Sequence, residues 1–317
     1  MAGREFHLDP SKIHQKWNNA LPPAITIRSG DVIHFETNEV SNGQVTPGCD
    51  ASVLAHLDFD NIYPLAGPVG VEGAKAGDVL QVDILELQPL DWGWTGMIPG
   101  LGLLPEDFPD PYIKHWDLSN GVSTELRPGI TLPLDPFCGV MGVAPSEPGE
   151  IGILPPGRFG GNLDIRHLTK GNTLFLPVQV EGALFSAGDC HSAQGDGEVC
   201  VTGIESPMRF TLRFTLRKDL RIDEPRFICN GPLNRKVDER GYYCTTSVGP
   251  DLYKNSQNAI RYMIRHLVDG YQLTPEEAFV LCSVAVDLKI SEIVDAPNWI
   301  VSAYLPMSIF EANIPGR

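Results

Sequence analysis

The sequence predicts a mainly β fold, a sandwich or barrel, with a smaller α/β part at its C-terminal end. Three observations carry that expectation. The 317 residues include 32 glycines and 27 prolines with no collagen-like period, which implies many turns between short strands. A Gly-Asp or Gly-Asn pair precedes an apolar, β-rich run three times, in "SGDVIHFET", "AGDVLQVDILEL" and "KGNTLFLPVQV". Helical signatures come only late in the chain. The expected organisation is a β-rich body over 1–230 that carries the site, and an α/β part over 231–317 packed on the same core.

Each repeated pair reads as a turn with positive φ at glycine, followed by a strand. "MRFTLRFTLRKDL" adds a strand by its alternation. Residues 91–164 are rich in Gly, Pro and aromatics and read as long ordered loops, either surface connections or walls of a site. Trp92, Trp94 and Trp116 are candidates to limit a pocket there. In "NAIRYMIRHLVDG", Ile260, Met263, Ile264 and Leu267 fall on one helical face, with a stop expected at Asp269-Gly270. In "LTPEEAFVLCSVAVDLKI", Thr274 reads as an N-cap, Pro275 as the first helical residue and Glu277 as the partner in a capping box.

A net charge of −16 sets the chain against nucleic acid and anionic membrane surfaces and favours a small-molecule or protein partner. The longest apolar stretch, "AFVLCSVAV", is too short to span a bilayer, and a soluble cytoplasmic protein is expected. The seven cysteines form no CxxC pair and read as reduced thiols. P-loop, dinucleotide and nucleophile-elbow motifs are missing.

The richest stretch is "GDCHSAQGDGEVC", residues 188–200. If the preceding strand stays extended through it, Asp189 and His191 share a face with α-carbons roughly 6.5 Å apart, and Cys190 points to the core. One carboxylate and one imidazole can then converge on an ion, for which zinc is suited, with a nearby carboxylate taking a proton from water. Asp196 and Glu198 repeat the i, i+2 relation. The plain alternative is an acidic turn capped by its own side chains. In "AHLDFDN", His56, Asp58 and Asp60 would share a strand face, with Asp60 best placed to reach a site. In "PPGRFGGNLDIRH", amides near Gly160-Gly161 can hold a carbonyl oxygen and Asp164 an amine or a metal, while Asn162 alone fits an Asx-type turn equally well.

Three segments together resemble the acetamidase/formamidase family: "HLDFDNIYPLAGPVGVEGAKAGDVLQVDI", "PPGRFGGNLDIRHLTKGNTLFLPVQVEGALFSAGDCHSAQGDGEVC" and "LCSVAVDLKISEIVDAPNWIVSAYLP". They span most of the chain in the family's order. The resemblance implies the family's β-rich fold, hydrolysis of short amides to carboxylate and ammonia, a divalent metal (zinc, with calcium as the alternative) and a homo-oligomer. It places the family's Asp-His pair at Asp189 and His191, its Gln at Gln194, and its acids at Asp196 and Glu198. Its G-G-N-x-D motif falls at Gly161, Asn162 and Asp164, and an acid before P-x-x-G-P at Asp60. The chain departs from the expected "SVAGDLKIS" at Val286. The expected machinery is therefore an ion on Asp60, Asp189 and His191, and Glu198 as base with Asp196 in reserve. Gln194 would steady the oxyanion, and Gly161, Asn162 and Asp164 would bind substrate. Other expectations stay open: another small or cyclic amide, a metal-free carboxylate mechanism, or a non-catalytic β-rich protein that binds a small ligand or ion.

Overall fold

The computed structural model describes residues 3–231, 233 and 238–311. Two six-stranded sheets share the main apolar layer, so the body is a β-sandwich. In the first, the strand order is Glu5–His7, Val32–Thr37, Met208–Arg217, Val79–Pro89, Thr173–Pro177, Arg226–Ile228. In the second it is Gly160–Asn162, Phe137–Gly142, Phe185–His191, Leu65–Val71, Ile13–His14, and Ile25–Ile27 also pairs with Leu65–Val71. Phe214 of the first sheet and Phe185 of the second meet edge to face, 5.0 Å between centroids, which ties the two layers together.

The repeated Gly-Asp/Asn units start three strands of the first sheet. Gly30, Gly77 and Gly171 take φ of 97°, 89° and 89°, a region that costs a residue with Cβ but not glycine. The amides of Asp31, Asp78 and Asn172 then close turns onto the carbonyls of Arg28, Lys75 and Thr169. The side chains of Asp31 and Asp78 accept back from the first amide of their turns, at 2.9 and 3.0 Å. The alternating run at Met208–Arg217 lies between two of these strands and buries Met208, Phe210, Leu212 and Phe214.

The first helix, α1 (Leu252–Tyr271), starts earlier than its apolar stripe alone indicates, because Asp251 caps it through the Lys254 amide. It also runs past Gly270 and ends where Gln272 turns left-handed at φ 55°. The second, α2 (Pro275–Ala285), has the expected capping box, with the Glu277 amide donating to Thr274 Oγ1 at 3.1 Å and the Thr274 amide to Glu277 Oε2 at 2.9 Å. It stops before Val286, whose φ of −98° and ψ of 131° suit a β-branched residue, and Asp287–Glu292 continues as a strand. A second apolar core joins these helices to Met97, Trp116, Leu126, Val199 and Ile204 of the body. No described helix is long and apolar enough to cross a membrane.

The segment holding His56, Asp58 and Asp60 departs from the expected strand. Ala51–Ala55 and Phe59–Asn61 are 3-10 turns capped by Asp50 and Asp58, whose carboxylates accept from amides two residues on. His56, Asp58 and Asp60 therefore do not share a strand face. Residues 91–117 are not all loop either: Trp92–Met97 and Tyr112–Asp117 pair as an antiparallel hairpin.

Candidate active site

His191 ends the Phe185–His191 strand and is buried. Four acids converge on its ring. Nε2 lies 3.1 Å from Glu205 Oε2 and 3.4 Å from Asp189 Oδ1, and Nδ1 lies 3.9 Å from Glu198 Oε1 and 4.0 Å from Asp164 Oδ1. Gln194 fixes the ring. Its Nε2 donates to the Asp164 carbonyl at 2.9 Å, which turns Oε1 toward His191 Nδ1 at 2.8 Å. A carbonyl only accepts, so Nδ1 carries a proton and donates it to Gln194. Nε2 is left facing the carboxylates.

Backbone distortion and glycine make the convergence possible. Asp189 and His191 do reach a common hollow, but not by regular extension: Asp189 turns to φ 50° inside its strand. Tyr63, Asp164, Glu198 and Val201, which line the same chamber, take φ of 56°, 46°, 43° and 81°. Such left-handed residues cost of order 1–3 kcal/mol each and cluster where the fold holds a site against strain. A Cβ at Gly139 would stand 2.5 Å from Asp164 Oδ1 and 3.1 Å from Asp189 Oδ2, so the two carboxylates occupy the place of a side chain. A Cβ at Gly203 would meet His191 Nδ1 at 2.8 Å. Cys190, between the two polar residues, points to the core and meets Cys138 Sγ at 3.5 Å.

The chamber has a volume of about 260 Å³, with Asp164, Asp189, Glu198, Glu205, Tyr63 and Asn162 among its polar lining. Burial holds the Glu198 carboxyl well above its usual range, reinforced by Asp164 and only partly opposed by His191. Burial also raises Glu205 to about 8, against the pull of His191 and with the push of Asp189, and raises Asp164 to about 6. Burial alone would discharge the His191 ring, but Glu205 and Asp189 outweigh it and hold the imidazolium well above its ordinary value. Burial and the surrounding acids keep the Tyr63 phenol protonated.

Asp164, Asp189 and His191 form a candidate metal-binding group, and His191, Glu198 and Glu205 form a second that shares the imidazole. The fit to a cation is physical. Asp164 Oδ1 and Asp189 Oδ1 are buried with no hydrogen-bond partner among the described residues, and His191 Nε2 and Glu205 Oε2, also buried, have only each other at 3.1 Å. Buried polar atoms are normally satisfied, and a divalent ion satisfies acceptors that repel one another. The donor set, one imidazole nitrogen with carboxylate oxygens, suits zinc.

Other expected site residues lie elsewhere. Asp60 is no part of either group: its side chain is 91% exposed and pairs with Lys16 at 3.1 Å, because the 3-10 turn carries it to the rim. Asp196 stands on the far side of the turn, half-exposed, 4.0 Å from His167, with its amide held by Asp287. The Gln194 side chain bonds His191 through Oε1 and the Asp164 carbonyl through Nε2 and is not part of the chamber lining, so it orients the ring instead of facing an oxyanion. Gly161 sits in a strand pair with Met141, outside the chamber, and the Gly160 amide is spent on the Gly157 carbonyl. Asn162 does line the chamber; its Nδ2 donates to the Leu154 carbonyl and its Oδ1 is buried without a partner. Of the three tryptophans, Trp94 lines the chamber, whereas Trp116 lies in the second core and bonds Thr95. Glu205 and Tyr63 were not anticipated. The signal for Glu205 was a lone acid in "VTGIESPMRF", between Ile204 and Ser206 at the entry to a strand.

A family model, that of the acetamidase/formamidase family, matches residues 2–149 and 151–312. The chain belongs to the acetamidase/formamidase family. A formamidase from Methylophilus methylotrophus is 29% identical over 96% of this chain and 90% of its own length. Among solved structures, a gamma lactamase from Delftia acidovorans aligns with a TM-score of 0.90 at 25% identity, covering 98% of this chain and 94% of its own. An acetamidase from Bacillus halodurans aligns with a TM-score of 0.68 at 32% identity, covering 94% and 96%. The family match spans both the sandwich and the helical part, and so includes every residue of the chamber.

Proposed function

We propose that the chain hydrolyses short-chain amides, of the acetamide and formamide kind, to a carboxylate and ammonia in the chamber around His191, with a divalent ion, zinc, held there. One observation carries the reading: buried ligand atoms of Asp164, Asp189 and Glu205 gather around the His191 ring, with no hydrogen-bond donor but the imidazole for Asp164 Oδ1, Asp189 Oδ1 and Glu205 Oε2 among the described residues. Family membership and its formamidase and acetamidase relatives support the reaction class.

Asp164, Asp189 and His191 would hold the ion, with Glu205 beside Nε2 as a further ligand. When bound, such an ion polarises the amide carbonyl and makes water a stronger acid. Gln194 keeps the Nδ1 proton in place, so Nε2 presents its lone pair. Glu198 accepts the proton of the attacking water at its carboxylate and returns it to the departing nitrogen; its raised proton affinity suits both halves of that transfer. Tyr63, kept protonated, donates to the developing oxyanion. Asn162 Oδ1 is free to accept from the amide nitrogen, which the surrounding carboxylates also favour. The same acids repel the carboxylate product and assist its release.

The proposal takes the enzyme to be a cytoplasmic homo-oligomer, on the family resemblance and on seven cysteines that are all free. A second reading keeps the site but takes a cyclic amide; it is favoured by the gamma lactamase, whose TM-score of 0.90 exceeds the acetamidase's 0.68 despite lower identity. Ammonia release from acetamide and formamide, measured before and after chelation and after zinc is restored, tests the proposal. Turnover that chelator abolishes and zinc restores is expected. Full turnover by chelated, metal-free protein removes the ion from it.

A further inference from the structure

We propose that the preferred substrate of this chamber is a neutral primary amide whose acyl group is apolar and about six carbons in size. The inference rests on the amide-hydrolysis reading and moves the preferred substrate from the smallest amides to larger apolar ones. The chamber is divided by chemistry. Its floor is the acidic cluster at Asp164, Asp189, Glu198 and Glu205, and its wall is apolar, built from Leu57, Ile62, Trp94, Ile98, Leu101 and Ile153. The mouth is flanked by Phe59 and Leu154, which also line the chamber and stand 51% and 50% exposed. Large apolar side chains left open at a pocket mouth are covered when an apolar ligand enters.

Volume separates this class from the smallest amides. An apolar cavity of about 150 Å³ takes a benzene ring, and a water molecule occupies about 30 Å³. The chamber's 260 Å³ therefore holds a six-carbon group and still leaves room for a carboxamide and one water on the floor. Acetamide would leave most of the wall facing trapped water. The fixed orientation follows from the same division: the carboxamide nitrogen donates to floor carboxylates, and the acyl group lies on the wall. An acyl group bearing its own carboxylate is repelled by the floor.

The test is ammonia release, measured as kcat/KM on the metal-loaded protein, for formamide, acetamide, butanamide, hexanamide, benzamide and succinamate. Each added methylene is expected to raise kcat/KM about three- to fourfold, equivalent to about 0.8 kcal/mol. Hexanamide should then exceed acetamide on the order of a hundredfold, with benzamide comparable to hexanamide and succinamate poor. Formamide or acetamide as the best substrate, with decline along the series, overturns this inference and leaves amide hydrolysis standing. No ammonia from any amide overturns both. In Ile98→Phe, which fills the wall, the hexanamide-to-acetamide ratio should fall at least tenfold; an unchanged ratio overturns the assignment of the wall as the acyl site.

Discussion

Two buried glutamates, both close to Trp94, live in opposite circumstances. Glu39 is 0% exposed and satisfied: it accepts from the Ser41 amide at 2.8 Å, Ser41 Oγ at 2.7 Å, the Gly43 amide at 2.7 Å and Trp94 Nε1 at 2.9 Å. Glu205 is equally buried, and its Oε1 takes the Gly203 amide at 2.9 Å, but its Oε2 has only the imidazole Nε2, at 3.1 Å, and otherwise faces other acids. A carboxylate ringed by donors is a structural device that pins the 39–45 loop and the Trp94 wall. A carboxylate left among its own kind costs stability, and the fold retains it only where something outside the chain completes it. The contrast separates the chamber from the many other acids of a chain with net charge −16.

The largest expected effect comes from removing the hub. His191→Ala should abolish metal binding and lower turnover by about a thousandfold or more, roughly 4 kcal/mol of transition-state stabilisation, with the sandwich intact by circular dichroism. Normal metal content in that variant would mean that the orphaned atoms serve something other than an ion. Next in size is Glu198→Gln, expected to keep its metal while kcat falls about 10²- to 10⁴-fold. The matching Asp196→Asn change should have little effect, because that carboxylate sits by His167, outside the chamber. If Asp196→Asn proves the more damaging, the base has been misassigned.

A direct comparison of the two glutamates sharpens the point through stability. Glu205 and Asp164 titrate at about 8 and about 6 in the folded chain, against about 4 when unfolded. Folded protein therefore binds these protons more tightly, and their contribution is full below about pH 4 and lost as pH rises through 6 and 8. The raised His191 ring acts in the same sense. Metal-free protein should lose melting temperature steadily across that window, while zinc, which displaces the protons, should stabilise more as pH rises. Glu205→Gln should flatten the metal-free slope and melt higher than wild type at pH 8. Glu39→Gln should cost about 1–3 kcal/mol at every pH, since it turns an amide donor toward four existing donors. Scanning calorimetry of both metal-free variants at pH 5 and pH 8 checks the pair.

The sequence made some of this legible and hid the rest for identifiable reasons. The Gly-Asp and Gly-Asn turns, the alternating 208–217 strand and the Thr274 capping box are local devices, each decided within a few residues, and each appears where its pattern places it. Asp189, His191, Glu198 and Gln194 were visible because one short segment carries them all. Their detailed roles were not, since which way Gln194 faces depends on the carbonyl of Asp164, thirty residues upstream. Glu205 was hidden because its importance lies in a long-range meeting: its strand bridge to His191 and Trp94 brings a lone acid under the imidazole. No periodicity within a window reports that. Asp60 misled in the opposite way, since acids in a turn-rich stretch look alike whether they face a chamber or cap a 3-10 turn.

Asp60 also supplies the smallest expected effect. Its carboxylate accepts from Lys16 Nζ at 3.1 Å, and next to it Gln15 Nε2 donates to Asn61 Oδ1 at 2.7 Å, so the two contacts strap the 58–61 turn to the rim. An exposed pair of this kind is screened by solvent and contributes little. Asp60→Asn should leave metal content and kcat at the wild-type level, with at most a modest rise in KM for the larger amides as the strap loosens beside Phe59. Elemental analysis with steady-state kinetics decides it. Loss of the ion in Asp60→Asn would mean that the 58–61 turn rearranges to bring this carboxylate inward when metal binds, and the distinction between a satisfied rim and an unsatisfied floor would no longer hold.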